Sequence, residues 1–336
     1  MALSQRKSLL QRVIGRGHSN SLMDGVKTGR VKAPVAAADS DGMIRVSGEI
    51  ELRIPWAALV LLLLLPTWTH AVVFRASIDQ SVWEMESSRF FCRLSQTVPA
   101  FGRAVFEHEA GEALRFKLQP TQTFQLSGTA RLVAQASPWQ PGEAPFAIAE
   151  VAVDQQSGGL ELGNEAASQM LVALHRGMSP TFSSARWYQS EEPVQIGISA
   201  ANFKSAYADY LGCLDTLLPV NYRQVARTAL LFPSASWQLS DAARERLDLI
   251  ALYIKTDDSV HSVYVDGHSD NYGRRLLNRD LSKRRAEEVT RYLVSQGVPE
   301  AIITTRYHGE RYPVVPNTTP ENRARNRRVA IRLERE

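Results

Sequence analysis

The sequence predicts an α+β protein with two folded domains, and three observations support this class. The chain has 336 residues, which is long for one domain and suits two of roughly 150 residues each. Apolar and polar residues alternate across much of 76–200, with glycine and proline between the alternating runs, as is typical of short β-strands. After Pro219 the pattern changes to strands interleaved with helices.

Composition and charge exclude several classes of protein. Hydrophobic residues make up 44% of the chain and charged residues 22%, which rules out wholesale disorder, collagen and a polytopic membrane protein. The formal net charge of +4 comes from residues 1–71, with 9 Lys and Arg against 5 Asp and Glu, whereas residues 72–336 carry 30 of each sign. Because residues 72–336 carry no net charge, they produce no general electrostatic attraction for phosphate groups. We therefore expect no nucleic-acid partner.

The first 71 residues predict a leader and an export signal. Residues 1–50 lack an apolar period, which predicts disorder. An uninterrupted apolar run from Trp56 to Leu65 follows within 51–71. Its length suits a signal-peptide core better than a membrane span of about 20 residues, although a signal anchor from Ile54 to Phe74 is an alternative. The 50-residue leader is unusual for a signal peptide, and a start at Met43 would give an ordinary signal length.

Two cysteines, Cys92 and Cys213, both follow the export signal. In an oxidising compartment an even pair predicts a disulfide, and two buried free thiols are the alternative. A bridge would mark 92–213 as one folded unit. This agrees with a first domain over 72–222 and a second over 223–336.

The first domain is predicted to be β-rich, with antiparallel sheets and two helices. The helices are expected at 165–176 and at 202–218, where aromatic and leucine side chains recur at spacings of three and four. Alternating segments predict strands at 113–118, 124–133, 146–153, 159–162 and 194–198.

The second domain is predicted to have the order β-α-β-α-β-β, with helices packed on one sheet. Ser240 is expected to cap the first of its helices. The long helix is predicted over 276–295 and ends before Gly297. The strands are predicted at 228–232, 260–265, 302–308 and 328–333.

The loop and long helix of this domain carry the most specific motif. The loop reads Gly267-His-Ser-Asp-Asn-Tyr-Gly273, and the helix reads Asn278-Arg-Asp-Leu-Ser-Lys-Arg-Arg-Ala-Glu-Glu-Val289. These residues resemble the OmpA-like peptidoglycan-binding domain, whose signature is GHTDxxG followed by NxxLSxxRAxxV, with Ser269 in place of the usual Thr. The resemblance implies that Asp270 holds the ammonium of diaminopimelate in the stem peptide, and that Arg285 holds a carboxylate. Asn278, Ser269 and Arg328 are further candidates around the same pocket.

The chemistry of the residues agrees with this implication. An acid on a loop and a base on the following helix can face one small zwitterion from two sides, through charge-assisted hydrogen bonds. The structural alternative is that Asp270 only caps the turn and that Arg285 lies on a solvated helix face, as we expect for Arg284.

Motifs before this domain resemble the MotY family, periplasmic components of the sodium-type polar flagellar motor. They are the segments 82–96 and 102–112, the pair Pro138-Trp139, and Tyr210-Leu-Gly-Cys213-Leu. The resemblance covers residues 76–336 and implies a disulfide at the positions of Cys92 and Cys213. It implies that the first domain joins the flagellar basal body in the T ring beside a MotX-type protein, while the OmpA-like domain binds peptidoglycan and helps to assemble and anchor the stator complex.

Two other functions are alternatives to the motor role. One is an OmpA-type outer-membrane or periplasmic wall-anchoring protein unrelated to the flagellum, and the other is a wall-active enzyme. We expect no enzyme activity, cofactor or metal. The stretch His108-Glu109-Ala-Gly-Glu112 begins like the zinc motif H-E-x-x-H but lacks the second histidine.

Overall fold

A computed structural model describes residues 72–121, 128–154, 159–184 and 194–336, all within the unit Thr67–Glu336. The predicted leader, the signal segment and part of the strand expected at 124–133 lie outside these ranges. Among the described residues, no helix has both the length and the apolar character needed to cross a membrane.

The first ten strands of the described residues form two five-stranded sheets. They are β1 Val72–Arg75, β2 Trp83–Ser87, β3 Phe91–Val98, β4 Gly102–Glu109, β5 Arg115–Pro120, β6 Thr129–Gln135, β7 Phe146–Ala152, β8 Leu160–Leu162, β9 Ser179–Ser184 and β10 Val194–Gly197. One sheet has the order β2-β3-β4-β5-β8 and the other has the order β1-β10-β9-β6-β7. The pairings are antiparallel except for the edge pair of β1 and β10, which is parallel. The expectation of antiparallel sheets missed this parallel pair.

The two sheets pack face to face around one apolar core, and we call this part of the chain the sandwich. The rings of Phe116 from one sheet and Phe182 from the other stack with centroids 5.8 Å apart, and both are fully buried. Alternate residues of β5, Phe116 and Leu118, point into this core, because successive side chains of a strand face opposite sides. The period-two pattern therefore gave the correct structural type.

Two helices pack on the sandwich, α1 over Asn164–His175 and α2 over Phe203–Thr216. A disulfide joins Cys92 on β3 to Cys213 on α2. Both cysteines are buried in the sandwich core. The predicted bridge is confirmed, and the alternative of two free thiols is wrong.

The C-terminal domain is a four-stranded sheet covered by helices. Its elements are α3 Tyr222–Val225, β11 Arg227–Leu231, α4 Asp241–Thr256, β12 Val260–Gly267, α5 Arg275–Ser295, a 3₁₀ turn Glu300–Ile302, β13 Ile303–Tyr307, α6 Pro320–Asn326 and β14 Arg328–Arg335. The sheet order is β11-β14-β12-β13, so β12 and β14 are central. The α+β class is confirmed, while the boundary between residues 222 and 223 stays a prediction.

The helix caps show why α4 was predicted from the sequence and why α6 could have been. The hydroxyl of Ser240 accepts a hydrogen bond from the N–H of Ala243 at 3.2 Å, as expected for the cap of α4. The predicted order omitted α6, whose cap is Thr319 with Pro320 at the first helical position. A threonine followed by proline is a helix-start signal, and the order from β11 onward is therefore β-α-β-α-β-α-β.

The sandwich and the C-terminal domain meet at a set of contacts that we call the junction. The N–H of Leu218 donates to the carbonyl oxygen of Arg89 at 2.9 Å. The ring of Phe90 packs on Tyr253 with centroids 5.7 Å apart, and it contacts the core of the C-terminal domain. Phe90, which directly precedes β3, therefore contributes to the core of the C-terminal domain.

The loop after β4 completes the junction. Gly111 has φ +69°, and an added Cβ would lie 2.9 Å from the carbonyl oxygen of Pro219, so glycine alone permits this close approach. Further hydrogen bonds join Glu109 to Arg223 at 2.6 Å, Glu112 to Asn221 at 3.0 Å and the Gly111 carbonyl to Gln224 at 3.0 Å.

Candidate functional site

The candidate site lies where β12 meets α5. The strand ends at Gly267, and the loop 268–274 leads into the helix. A Cβ added to Gly267 would overlap the carbonyl oxygen of Ser282, so only glycine allows this contact between strand and helix. Gly273 adopts φ +98°, a left-handed conformation that favours glycine. The backbone therefore requires glycine at position 267 and favours glycine at position 273.

Arg285 is fully buried beneath the loop. Its Nε donates to the carbonyl oxygen of Ser236 at 2.8 Å, and its two Nη atoms donate to those of Pro233 at 2.9 Å and His268 at 3.3 Å. Burial lowers the pKa of Arg285 to about 10, Asp270 opposes this shift and Arg327 reinforces it. The guanidinium therefore remains charged at neutral pH.

Arg284, the next residue, provides the contrast. It is exposed and pairs with Asp280 one turn earlier on α5, at 2.8 Å. The solvated-face alternative thus describes Arg284, as expected, whereas Arg285 points into the domain.

Asp270 is 7% exposed and forms two contacts. Its Oδ2 accepts a hydrogen bond from Nη1 of Arg327 at 2.9 Å. Its Oδ1 accepts one from the N–H of Tyr272 at 3.3 Å, which is the turn-capping contact of the structural alternative. A carboxylate has about four lone-pair positions, so these two bonds leave room for further donors.

Asn278 and Ser269 connect the loop, α5 and the segment after β13. Nδ2 of Asn278 donates to Oε2 of Glu310 at 2.9 Å, and the N–H of Ser269 donates to the carbonyl oxygen of Gly309 at 2.9 Å. The N–H of Gly309 in turn donates to the hydroxyl of Ser282 on α5 at 3.0 Å. Ser269 and Asn278 therefore belong to one network at the end of the sheet.

Arg328 and His268 lie side by side at the base of the loop, because the N–H of His268 donates to the carbonyl oxygen of Arg328 at 2.9 Å. Nη2 of Arg328 donates to the carbonyl oxygen of Tyr312 at 3.3 Å. Burial, reinforced by the charges of Arg328 and His308 and opposed by Asp266, lowers the pKa of His268 to about 4. Its imidazole is therefore neutral at physiological pH.

Three buried side-chain atoms here have no hydrogen-bond partner within the described ranges, namely Nδ1 of His268, Oγ of Ser269 and Nη1 of Arg328. Buried polar atoms are normally hydrogen-bonded. This part of the site therefore offers donors and acceptors to a polar ligand.

The charges at the centre do not cancel. Arg285 is fully buried, the side chain of Arg327 is 17% exposed, and the carboxylate of Asp270 interacts with both. In a poorly solvated place such an excess attracts a carboxylate, while the free lone pairs of Asp270 suit an ammonium. The arrangement therefore fits a small zwitterion.

Sequence reasoning did not find Arg327 or the carbonyl groups that hold Arg285. Arg327 and Arg328 are adjacent and chemically identical, so the motif alone cannot say which one faces Asp270. The loop 232–240, which supplies the carbonyl oxygens of Pro233 and Ser236, carries no charged or motif residue that would have marked it. Within the described ranges, no three His, Cys, Asp or Glu side chains are grouped to hold a metal ion.

Comparisons with known proteins match both the sandwich and the C-terminal domain. Two family models match, the MotY N-terminal domain over residues 74–219 and the OmpA family over residues 231–327. The sodium-type flagellar protein MotY of Vibrio parahaemolyticus is 31% identical over 282 residues, which cover 82% of this chain and 96% of that protein.

Two further proteins match parts of the chain. The peptidoglycan-associated lipoprotein of Pseudomonas aeruginosa is 31% identical over 173 residues, covering 52% of this chain and 98% of that protein. Among solved structures, the C-terminal domain of Helicobacter pylori MotB is 26% identical over 32% of this chain and 85% of that chain, with a TM-score of 0.31.

Proposed function

This chain belongs to the MotY family, and on that premise we propose that it is a periplasmic component of the flagellar motor that binds peptidoglycan through its C-terminal domain. The sandwich would associate with the basal body in the T ring, beside a MotX-type protein, and the whole chain would help to assemble and anchor the stators. A periplasmic location is supported by the disulfide, since such bridges persist in oxidising compartments.

The observation that carries the wall-binding role is the buried charged centre of Asp270, Arg285 and Arg327. Diaminopimelate presents an ammonium and a carboxylate on one carbon, and the stem peptide offers them together. Asp270 would accept from the ammonium, and the N–H groups of Arg285 and Arg327 that are not used by the protein would donate to the carboxylate. Asn278, Ser269 and Arg328 would orient the remaining polar groups. This role requires no catalytic group, cofactor or metal.

The test is co-sedimentation of the purified chain with isolated sacculi. We expect Asp270→Asn and Arg285→Lys to weaken binding by about 30-fold, because each removes a charge-assisted bond of about 2 kcal/mol. Arg284→Ala is the matched control and should bind as the wild type does, since its side chain is exposed and paired on the helix surface. Free diaminopimelate should compete with the wild type. Undiminished binding by both site variants, with circular dichroism unchanged, would remove the site assignment.

The motor role needs a separate experiment in a strain that lacks the chain. Wild-type protein should restore swimming and stator recruitment, and Asp270→Asn should reach the basal body without restoring full stator occupancy. Normal swimming in the deletion strain, together with a weakened envelope, would instead favour a general wall-anchoring protein.

A further inference from the structure

Strand β11 forms one edge of the C-terminal sheet, and its outer side has no partner strand among the described residues. The sheet order β11-β14-β12-β13 leaves β11 paired with β14 alone. Arg227, Ala229 and Leu231 are all exposed, Leu231 to 58%. An open strand edge of this kind is a template for pairing with another extended chain.

The pairing with β14 shows which backbone groups of β11 remain free. The N–H of Phe232 donates to the carbonyl oxygen of Arg327 at 2.9 Å, and the N–H of Leu333 donates to that of Ala226 at 2.9 Å. Hydrogen-bonded and non-hydrogen-bonded residues alternate in an antiparallel pair, so the even-numbered residues of β11 bond to β14. The N–H and C=O groups of its three odd-numbered residues therefore point outward, and no backbone hydrogen bond outside the sheet joins them to a described residue.

Two arginines face each other at the start of this edge. Arg227 lies directly opposite Arg332 of β14, in one of the non-hydrogen-bonded pairs, where the two chains come closest. Like charges directly opposite each other destabilise a sheet. Glu334 lies 3.5 Å from the guanidinium of Arg332, but no ion pair joins Arg227 to a residue in the described ranges. The arginine pair is therefore a local excess of positive charge that an anion would relieve.

The arginine pair borders a pocket of about 350 Å³. The remaining walls come from α3, the residue after it and the end of β14, namely Tyr222, Arg223, Ala226, Leu333 and Glu334. Three arginines thus line the pocket against one glutamate, although Glu109 also pairs with Arg223 at 2.6 Å. Guanidinium groups bind carboxylates through charge-assisted, bidentate hydrogen bonds, so the pocket suits a carboxylate. Arg332 lies about 13 Å along β14 from Arg328, so the pocket is separate from the candidate site.

We propose that β11 and this pocket form a docking site for an extended, acidic segment of another protein. The segment adds to the sheet as a further strand, with its backbone hydrogen-bonded to the open edge of β11. A glutamate or aspartate side chain of the segment, on the face shared with Arg227 and Arg332, enters the pocket. A second copy of β11 is a poorer occupant, because its sequence Arg-Thr-Ala-Leu-Leu carries no acidic side chain. The docking site adds a protein contact to the proposed wall contact and does not depend on it.

The experiment measures the binding of labelled synthetic peptides to the purified chain by fluorescence anisotropy. The probe is a peptide of alternating Glu and Thr, about eight residues long, which is an ordinary strand length. Its comparators are a peptide of alternating Lys and Thr, and the Glu-Thr peptide with methylated backbone nitrogens. We expect the probe to bind about tenfold more tightly than either comparator, because one lacks carboxylates and the other lacks the N–H groups that pair with β11.

Two variants separate the side-chain charge from the backbone edge. Arg227→Gln should weaken binding of the probe about fivefold to tenfold and reduce its dependence on salt, because one charge-assisted bond is lost. Ala229→Pro should weaken it about tenfold or more, because proline is tolerated on an edge strand but removes the outward N–H. Arg131→Gln is the matched control, since Arg131 is exposed on β6 of the sandwich and lies 3.6 Å from Glu150. Binding of the probe to the wild type should slow hydrogen exchange at the amides of Ala229 and Leu231.

Four results would overturn the inference. Equal binding of the Glu-Thr and Lys-Thr peptides would show that the pocket does not select an acidic side chain. Equal binding of the methylated peptide would show that charge alone attracts the probe, without an added strand. No binding at a probe concentration of about 1 mM would show that the edge does not accept such a segment. A dimer in sedimentation that Ala229→Pro dissociates would assign the edge to a second copy of the chain.

Co-sedimentation with sacculi keeps this inference distinct from the proposed wall binding. Arg227→Gln should sediment with sacculi as the wild type does, because Arg227 lies outside the candidate site. Failure of the wild type to bind sacculi would refute the wall binding and leave the peptide result to decide the docking site.

Discussion

The disulfide gives the most quantitative prediction about stability. Cys92 and Cys213 are separated by 121 positions, and the chain-entropy model gives a bridge across such a loop about 5 kcal/mol of stabilisation. Both sulfurs belong to the sandwich core, so the effect should appear in the unfolding of the sandwich. For a domain of about 150 residues, this loss lowers the thermal midpoint by about 10–20 °C.

The assay is differential scanning calorimetry of the oxidised chain, of the reduced chain and of the double variant Cys92→Ala/Cys213→Ala. The reduced chain keeps both sulfur atoms, so its shift reports the cross-link alone. The double variant also loses two buried sulfurs and should be less stable still. Thiol titration establishes that reduction is complete. If the fully reduced chain unfolds at the same midpoint as the oxidised chain, the reasoning is refuted.

Three further predictions concern single residues. Because burial lowers the pKa of His268 to about 4 from about 6.5 in the unfolded chain, the neutral ring contributes stability that is fully present above pH 6.5 and is lost as the pH falls toward 4. This loss of stability amounts to about 3 kcal/mol. His268→Gln should therefore flatten the pH dependence of the melting temperature of the C-terminal domain between pH 7 and 4.5. An unchanged pH dependence in this variant would contradict the prediction. Gly267→Ala should destabilise the C-terminal domain by about 1–3 kcal/mol in urea unfolding, whereas Gly212→Ala, an exposed position in α2 with no atom within 4 Å of the added Cβ, should stabilise by about 0.5–1 kcal/mol. Gly111→Ala should force the loop away from Pro219 and increase protease cleavage near residue 219, and cleavage at the wild-type rate would argue against the close approach described here.

Local patterns predicted most of the C-terminal domain because its elements are bounded by strong signals. Ser240 caps α4, and α5 spans Arg275–Ser295, against the prediction of 276–295. The helices of the sandwich also agree with prediction to within one or two residues. The parallel pairing of β1 and β10 was not predictable in the same way, since it joins segments more than 100 residues apart and depends on the tertiary fold.

In the candidate site, too, the sequence predicted the motif residues but not the contacts that depend on the tertiary fold. The motif indicated Asp270 and Arg285 because both match the OmpA-like signature, and the structure places Asp270 in the loop 268–274 and Arg285 beneath that loop. The motif could not indicate that Arg327 pairs with Asp270. Arg327 and Arg328 are adjacent at the start of β14, and only the backbone there decides which of the two side chains points toward Asp270. Nor could the motif indicate that backbone carbonyl groups hold Arg285, since a carbonyl group has no residue identity.

The junction has a mechanical consequence for a protein proposed to join a motor to the wall. If residues 217–221 were the only connection between the sandwich and the C-terminal domain, this short segment would stretch before it transmitted force. Here, residues 89 and 90 before β3 and residues 109–112 at the end of β4 also make contacts across the junction, and the disulfide ties β3 to the helix that leads into the connection. A pull on the C-terminal domain would therefore be shared among several parallel links instead of passing through residues 217–221 alone.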